Sequence, residues 1–284
     1  MNTITRKAYA KINIGLDVIR RLENGYHELK MVMQTIDLHD VLTFTPNDST
    51  EIIIQVNDDN IPNNKNNLIY KAADLLLKDT NLGVTITLEK NIPIAAGMAG
   101  GSTDAATTFL AVNELFNLGK SQKELMELGV TIGADIPYCI MGGTALSEGI
   151  GEILTPLSTA INPYVLIAKP DIFVSTAFVY QNLDLQNIDT HPDIDNLVLA
   201  IQENDFNKMT GLMSNVLETV TITNYPIINE IKQLMIDEGA TISLMSGSGP
   251  TVFGFFENKE TLENAYNNLK DNNKIYQIFK SRFK

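Results

Sequence analysis

The sequence is poor in the residues that build disulfides and metal centres. Its 284 residues include one cysteine, three histidines and no tryptophan. A single thiol excludes an internal disulfide and is typical of a reducing compartment. The histidines, His27, His39 and His191, are scattered along the chain. No metal-ligand cluster is apparent, so no metal-binding residue is predicted.

Positive charge and long apolar runs are also scarce. The chain has 21 Lys and Arg against 34 Asp and Glu, a net charge of −13. This charge argues against a nucleic-acid partner, because phosphate backbones attract basic surfaces. No apolar run reaches membrane length, and residues 1–18 alternate like a strand without a continuous apolar signal core. We expect a cytoplasmic protein with neither a nucleic-acid nor a membrane partner.

The length allows a full-sized core and two modest domains. Strand and helix patterns are mixed, which indicates an α+β fold. Prolines between 156 and 163 mark a boundary, which divides an N-terminal domain (1–157) from a C-terminal domain (158–284). In the second domain the order strand, helices, two strands, helix, strand resembles a ferredoxin-like split βαβ unit.

A glycine-rich stretch at 93–104, PIAAGMAGGSTD, dominates the middle of the chain. A period-two strand pattern at 84–90 precedes it and a helical pattern follows. This order gathers backbone N–H groups and the positive end of a helix dipole, which favours phosphate. We expect Ser102 or Thr103 to cap the helix and to offer a hydroxyl to a phosphate or its metal. A flexible connection of small residues is the structural alternative.

Some helix and strand boundaries are also predicted from local signals. We expect the strand at 29–45 to be interrupted near 37–40 and the helix after the glycine-rich stretch to end at Gly119. Pro137 argues against a helix interior around it. The segment 205–219 has a helical pattern, and the stretches 57–67 and 182–195 have the polar composition of loops.

Four polar or aromatic residues stand out before residue 30. Lys11 and Asn13 share one face of a predicted strand, which is either a solvated surface or a ligand wall. The turn signal Asn24-Gly25 comes directly before Tyr26 and His27. Such a pair can stack on and hydrogen-bond a flat base, or it can simply begin a half-buried strand.

Asp135, two residues before Pro137, is either a helix cap or a partly buried functional acid. Together with a phosphate loop and a lysine, this carboxylate suits phosphoryl transfer. The acceptor hydroxyl needs a group to take or orient its proton, while backbone amides and Mg²⁺ carry the remaining charge. The sequence has no Walker lysine, HExxH, nucleophile elbow or HRD loop.

Three segments in order then resemble the motifs of one kinase superfamily: Ala10–Asn13, Pro93–Asp104 and Met245–Phe253. The superfamily includes galactokinase, homoserine kinase, mevalonate kinase and phosphomevalonate kinase. Further segments at 25–27, 67–69, 133–137 and 142–154 resemble those members whose small-molecule substrate carries cytidine diphosphate. The resemblance spans essentially the whole chain.

This resemblance implies ATP-dependent phosphorylation of a tertiary hydroxyl in non-mevalonate isoprenoid synthesis, with ATP and Mg²⁺ as cofactors. It implies a ribosomal S5 domain 2-like N-terminal domain and a ferredoxin-like C-terminal domain, with the site in the cleft between them. Lys11 and Asp135 take the catalytic positions: Asp135 would accept or orient the hydroxyl proton, and Lys11 would hold Asp135 charged and orient the substrate.

The remaining site residues also follow from the resemblance. Those matching the substrate site are Asn13, Tyr26, His27, Thr176 and Tyr180, with Tyr26 stacking on the base and His27 bonding its edge. Those matching the ATP site are Asn67, Leu68, Lys90, Pro93, Ile94, Ala95, Ala96, Gly97, Met98, Ala99, Gly100, Gly101, Ser102 and Thr103.

Two positions depart from the family pattern. Tyr9 replaces the usual proline before the lysine, and Met98-Ala99 is a variant within the glycine loop. Neither removes a charged or hydrogen-bonding group. We expect a monomer or a weak homodimer. Two other hypotheses stay open: a related kinase acting on another alcohol, and a nucleotide-binding homologue without turnover.

Overall fold

The computed structural model describes residues 3–58, 60–188 and 190–284. Residues 59 and 189, in the predicted loops 57–67 and 182–195, lie outside the described residues, as do residues 1 and 2 of the predicted domain 1–157. The chain divides into two units. Unit 1 comprises Met1–Ala10, His39–Ile94 and Ala99–Gly142, and unit 2 comprises Lys11–Leu38, Ala95–Met98 and Gly143–Lys284. The domain boundary at 157/158 stays a prediction.

The described part of the chain contains ten strands and ten helices. The strands are β1 (Ile4–Arg21), β2 (His27–Asn47), β3 (Ile52–Val56), β4 (Gly83–Glu89), β5 (Thr144–Gly149), β6 (Ile153–Leu157), β7 (Tyr164–Lys169), β8 (Ile242–Met245), β9 (Val252–Phe256) and β10 (Gln277–Arg282). The helices are α1 (Leu68–Leu77), α2 (Gly100–Leu115), α3 (Gln122–Val130), α4 (Ile136–Met141), α5 (Thr176–Gln181), α6 (Ile194–Gln202), α7 (Phe206–Leu212), α8 (Glu218–Asn224), α9 (Ile227–Asp237) and α10 (Lys259–Leu269). None of these helices is long and apolar enough to cross a bilayer.

Unit 1 packs helices α1 to α4 on a short piece of sheet. The second half of β2 pairs antiparallel with β4, and β3 pairs parallel with β4. A continuous apolar cluster joins sheet and helices, and Phe44, Ile86 and Phe109 within it are fully buried. Burial of side chains of this size is the main stabilising contribution to such a core.

Three predicted boundaries in unit 1 are wrong. Helix α2 begins at Gly100, so Ser102 and Thr103 lie in its first turn rather than at its cap, which is Ala99. It ends at Leu115 because Asn117 already adopts a left-handed conformation, two residues before Gly119. Pro137 lies in the first turn of α4, where a helix needs no backbone N–H from it.

Unit 2 contains a four-stranded antiparallel sheet in the order β10-β7-β9-β8. In chain order this is a split βαβ arrangement with extra helices after its first strand, as predicted for a ferredoxin-like domain. The first half of β2 pairs with β5, and β5 pairs with β6. Strand β2 runs without the predicted interruption near residue 37.

The predicted helix at 205–219 is two helices, α7 and α8. Between them Leu16 N–H donates to the carbonyl of Ser214 at 3.0 Å, and Val216 N–H donates to the carbonyl of Leu16 at 3.0 Å. This pairing with β1 uses backbone groups that would be hydrogen-bonded within a continuous helix, so the helix is interrupted there.

Candidate active site

In unit 2 the glycine-rich stretch contacts the third motif directly. Ser246 Oγ donates to the carbonyl of Gly97 at 3.0 Å. Gly97 has a φ of 71°, and a Cβ there would lie 2.2 Å from the carbonyl oxygen of Ser246. Only glycine allows this close approach. The structure therefore brings residues 95–98 and the loop 246–249 together, as expected if two motifs form one site.

Lys11 and Asn13 lie beside these loops. Lys11 N–H donates to the carbonyl of Met98 at 3.2 Å, and its Nζ donates to Asn13 Oδ1 at 2.7 Å. Asn13 Nδ2 contacts Met31 Sδ at 3.3 Å. Both side chains are buried, at 6% and 1% exposed. Burial rules out the solvated-surface interpretation, since polar groups are not buried without fixed partners.

A residue that sequence reasoning missed holds the third motif in place. Asn215 Nδ2 donates to the carbonyls of Met245 and Gly247 at 2.9 and 2.8 Å, and its Oδ1 accepts from Leu217 N–H at 3.0 Å. In the sequence Asn215 lies within the segment 205–219, whose helical pattern gave no indication of this role. Thr176, a predicted substrate residue, has its hydroxyl 2.8 Å from that of Ser248.

Two of the predicted base-binding residues are in contact. The rings of His27 and Tyr180 have centroids 5.2 Å apart and an interplanar angle of 30°. Burial, reinforced by the charge of Arg21, lowers the pKa of His27, so its imidazole is neutral at neutral pH. Tyr26 is 60% exposed, a position open to a stacking partner. Sequence spacing gave no hint of the contact between His27 and Tyr180, which are far apart in the chain.

The polar face of β1 continues past Asn13 to a second missed residue, Asp17. Asp17 is 4% exposed, and its Oδ1 lies 2.8 Å from His191 Nδ1 and accepts from Val18 N–H at 2.8 Å. The alternation of residues 11, 13, 15 and 17 was the available signal. The contact fixes the segment before α6 to the strand that carries Lys11.

In unit 1 the start of α2 lies between two predicted ATP residues. A Cβ on Gly100 would lie 3.0 Å from Lys90 Nζ, and one on Gly101 would lie 3.6 Å from Leu68 Cδ1. The N–H groups of the first turn of α2 have no acceptors within the helix, so they and the helix dipole can serve an anion. This is the arrangement expected of a phosphate site.

Ser102 and Thr103 differ in their surroundings. Thr103 is buried, and its hydroxyl donates to the carbonyl of Tyr9 at 2.8 Å. Its side chain thus holds β1 against α2, and its hydroxyl is engaged there rather than offered to a phosphate. Ser102 is half-buried in the same turn.

The rest of the glycine-rich stretch is unusual in its backbone. Ala95 and Ala99 have φ of 51° and 56°, which is uncommon for residues with a Cβ. Of the predicted ATP residues here, Pro93, Ala96 and Met98 are buried, while Ile94 and Ala95 are exposed. Strained backbone of this kind concentrates at ligand sites.

Lys90 is bound by two carboxylates of unit 1. Its Nζ lies 2.5 Å from Asp40 Oδ2 and 2.7 Å from Asp104 Oδ2, and none of the three side chains is more than 8% exposed. Sequence reasoning selected Lys90 through the family resemblance but neither partner, because the three residues are far apart in the chain.

Asn67 and Asp135 stand before helices. Asn67 Oδ1 accepts from Ile69 N–H at 2.9 Å and caps α1, and its Nδ2 donates to the carbonyl of Pro62 at 2.6 Å. Asp135 precedes α4, yet its side chain makes no capping hydrogen bond. The plain-cap interpretation of Asp135 is therefore not supported, and its functional role stays a prediction.

Comparison with known proteins defines the class. Residues 67–143 match the family model described as GHMP kinases N terminal domain, and residues 190–275 match that described as GHMP kinases C terminal. The chain belongs to the GHMP kinase family, ATP-dependent kinases of small molecules. This confirms the kinase superfamily and the two-domain α+β fold predicted from the three motifs.

Within that family the chain is similar to proteins named 4-diphosphocytidyl-2-C-methyl-D-erythritol kinase. The protein of that name from Lachnoclostridium phytofermentans is 51% identical, over 100% of this chain and 98% of its own. That from Lachnospira eligens is 49% identical, over 98% of both chains.

Solved structures agree with this. A crystal structure of 4-(cytidine 5'-diphospho)-2C-methyl-D-erythritol kinase superposes with a TM-score of 0.84 at 30% identity, covering 99% of each chain. A homoserine kinase from Cytophaga hutchinsonii superposes with a TM-score of 0.82 at 20% identity, covering 99% of this chain and 95% of that one. At that identity the second similarity shows the fold alone.

Proposed function

We propose that the chain transfers the γ-phosphoryl group of ATP to the 2-hydroxyl of 4-diphosphocytidyl-2-C-methyl-D-erythritol, in the non-mevalonate route to isopentenyl diphosphate. The observation that carries this proposal is the 51% identity to a relative of that name over the entire chain. We further propose a cytoplasmic protein that is a monomer or a weak homodimer.

The nucleotide is assigned to the glycine-rich stretch and the start of α2. Gly97, Gly100, Gly101, Ser102 and Thr103 surround its phosphates, with the backbone N–H groups of Gly100, Gly101 and Ser102 as donors, and Asn67, Leu68 and Lys90 lie near its adenine. The N–H groups and dipole at the start of α2 support this assignment, because the helix itself does not use these donors.

Mg²⁺ is proposed to enter with the nucleotide and to neutralise charge on the phosphates. Among the described residues, no group of three or more His, Cys, Asp or Glu is placed to hold a metal ion. A Mg²⁺ ion that enters with a nucleotide usually takes most of its ligands from the phosphates and from water.

The acceptor is assigned to Lys11, Asn13 and Asp135. Asp135 accepts or orients the proton of the attacking hydroxyl, and Lys11 supplies positive charge to the reacting groups. The buried hydrogen bond between Lys11 and Asn13 at 2.7 Å supports a positioned rather than a mobile ammonium. Fixed charges lower a barrier more than charges that must reorganise.

The cytidine is assigned to Tyr26, His27 and Tyr180, with Thr176 lining the same pocket. The contact between the rings of His27 and Tyr180 supports this assignment. A neutral imidazole offers one donor and one acceptor, which suits the edge of a cytosine.

The test is ADP release by the purified protein with ATP, Mg²⁺ and a panel of acceptors. The panel holds the cytidylyl methylerythritol compound, free methylerythritol phosphate, mevalonate, homoserine and galactose. We expect turnover with the first alone. Turnover with another acceptor would keep the kinase but overturn the substrate, and ATP binding without turnover on any acceptor would indicate a non-catalytic homologue.

The same assay tests the role of Asp135. Asp135→Ala should lower kcat by about 10²- to 10⁴-fold, because a positioned proton acceptor contributes about that much, while ATP still binds. Asp79→Ala, which removes an exposed carboxylate of unit 1, is the matched control and should not change kcat. Equal kcat for the Asp135 variant and the wild type would refute the assigned role.

A further inference from the structure

A buried triad of Lys90, Asp40 and Asp104 lies at the start of α2. The side chains are 8%, 0% and 4% exposed, in that order. Two carboxylates and one ammonium would carry a net charge of −1 if all were ionised. An uncompensated charge is unfavourable at a site buried from solvent, so one of the two carboxyl groups is expected to carry a proton.

Asp40 has the surroundings of an ionised carboxylate. Its Oδ1 accepts from the N–H groups of Asn91 and Ile92 at 2.6 and 2.7 Å, and its Oδ2 accepts from Lys90 Nζ at 2.5 Å. Three donors are therefore aimed at this one carboxyl group, and both of its oxygens act as acceptors.

Asp104 has the surroundings of a neutral acid. Its Oδ2 accepts from Lys90 Nζ at 2.7 Å, but its buried Oδ1 has no hydrogen-bond partner among the described residues. An unpartnered buried oxygen is unfavourable for a carboxylate. If that oxygen carries a proton it becomes a donor instead of an unsatisfied acceptor, and Asp104 then shares Lys90 Nζ with the carboxylate of Asp40 without adding a second negative charge.

Electrostatics support the same assignment. Burial raises the pKa of Asp104 to about 8; Lys90 opposes this rise and Asp40 adds to it. Burial alone would lower the pKa of Lys90, but Asp104 and Asp40 raise it above its ordinary value, so Lys90 stays charged.

Other titratable groups near Asp104 do not alter this balance. His39, next to Asp40 on β2, points to the other face of the strand, where its ring centroid lies 5.4 Å from that of Tyr9. Among the buried residues of α1, α3 and α4, the helices packed on α2, Tyr138 is the one with an ionisable side chain, and none carries a carboxylate or an ammonium.

The triad is coupled to the helix start by direct contact. A Cβ on Gly100 would lie 3.0 Å from Lys90 Nζ and 3.2 Å from Ile92 Cγ2. The ammonium therefore packs against the first residue of α2, and Asp104 holds it from one turn further along the same helix. The end of β4 and the start of α2 are fixed to each other through Lys90.

We propose that Asp104 is a positioning residue for nucleotide binding, held as a neutral carboxylic acid that fixes Lys90 against the start of α2 and leaves no net negative charge behind the phosphate-binding helix. This inference rests on the proposed function for the identity of the anion. The protonation of Asp104 and its effect on the start of α2 do not depend on which anion binds, and they can be measured separately.

The first experiment measures the proton in the wild-type protein. Infrared difference spectroscopy between pH values detects the C=O band of a protonated carboxylic acid. We expect a band at neutral pH that disappears as the pH rises through about 8. The band should be absent from Asp104→Asn and retained in Asp79→Asn, which changes an exposed carboxylate. A wild-type spectrum without a band that depends on Asp104 would overturn the proposal.

The second experiment measures thermal unfolding without nucleotide. Asn matches the neutral acid, since its Oδ1 accepts from Lys90 and its Nδ2 donates to Asp40. A raised pKa means that the folded state keeps a proton which the unfolded state has released. Wild-type stability must therefore fall between about pH 4 and pH 8 and stay level above that. The Tm of Asp104→Asn minus that of the wild type should rise up to about pH 8 and then stay constant. A difference independent of pH, or an Asn variant that does not fold, would contradict the proposal.

The third experiment measures ATP affinity by calorimetry without an acceptor. As Asp104 ionises near pH 8, a negative charge appears behind the helix, and the wild-type Kd for ATP should rise by roughly tenfold relative to that of Asp104→Asn. Equal pH profiles for the two proteins would refute the link to nucleotide binding. If the acceptor panel overturned the proposed substrate, all three of these measurements would keep their meaning.

Discussion

The region at the start of α2 and the region around Lys11 are held by different kinds of interaction. The first depends on buried charges, with Lys90 between Asp40 and Asp104. The second depends mainly on neutral hydrogen bonds to backbone carbonyls, such as those from Ser246 and Asn215. Buried charges fix a position firmly but are costly when one partner is lost. Neutral contacts cost less to lose, and they add no charge where an anionic substrate is to bind.

This contrast predicts that the largest loss of stability comes from the charged region. Asp40→Ala leaves Lys90 with one partner and the N–H groups of Asn91 and Ile92 without an acceptor. We expect the free energy of unfolding to fall by about 3–5 kcal/mol, the usual result of breaking a buried ion pair. Urea denaturation measures it, with Asp48→Ala, an exposed carboxylate of the same unit, as the control. If Asp40→Ala lowered the free energy of unfolding no more than Asp48→Ala does, the buried charges could not be the stronger of the two kinds of interaction.

A smaller loss is expected from the neutral region. Asn215→Ala removes the donor to the carbonyls of Met245 and Gly247, which should cost about 1–3 kcal/mol. Because those carbonyls belong to the third motif, kcat should fall as well. Denaturation and the ADP assay measure the two effects. The control is Asn224→Ala, since Asn224 is exposed and its side chain donates within its own helix. If Asn215→Ala cost more than Asp40→Ala, the proposed ranking would be reversed.

The smallest effect on stability is expected at Tyr26, the exposed residue that is proposed to bind the base. Tyr26→Ala should raise the KM for the cytidylyl acceptor by about tenfold, since stacking on an aromatic ring contributes roughly 1–3 kcal/mol per base. Its Tm should not change, because the side chain is 60% exposed. Steady-state kinetics with the Tyr276→Ala control, which removes another exposed tyrosine, measures the difference. An unchanged KM would take Tyr26 out of the cytidine site.

Features with local causes were predictable from the sequence. Ser121 and Glu124 have the spacing of a capping box and form one, and Ser175, a residue type favoured at helix starts, caps α5. The order of strands and helices identified the ferredoxin-like sheet, because chain order and antiparallel pairing leave few arrangements. In these cases the interacting groups are neighbours in the sequence, so the pattern itself carries the information.

Features that depend on distant partners were not predictable. Nothing near Asn215 in the sequence indicates that its amide binds carbonyls 30 and 32 residues away. Asp40 is one of 34 acidic residues, and its partner Lys90 lies 50 residues further along. The C-terminal end of α2 was predicted at Gly119 because glycine is the residue that most often ends a helix in a left-handed conformation. In the structure Asn117 already adopts that conformation.

The hydrogen bond from Ser246 to Gly97 also has a consequence for folding during synthesis, because it can form only after both residues have been made. Its two residues are separated by 149 positions in the chain. At a synthesis rate of about 5–20 residues per second, Gly97 is made roughly 7 to 30 seconds before Ser246. During that interval the strained stretch from Ala95 to Ala99 has no partner loop. The proposed nucleotide site is therefore completed only near the end of translation, and a nascent chain released earlier would hold the first two motifs without the third.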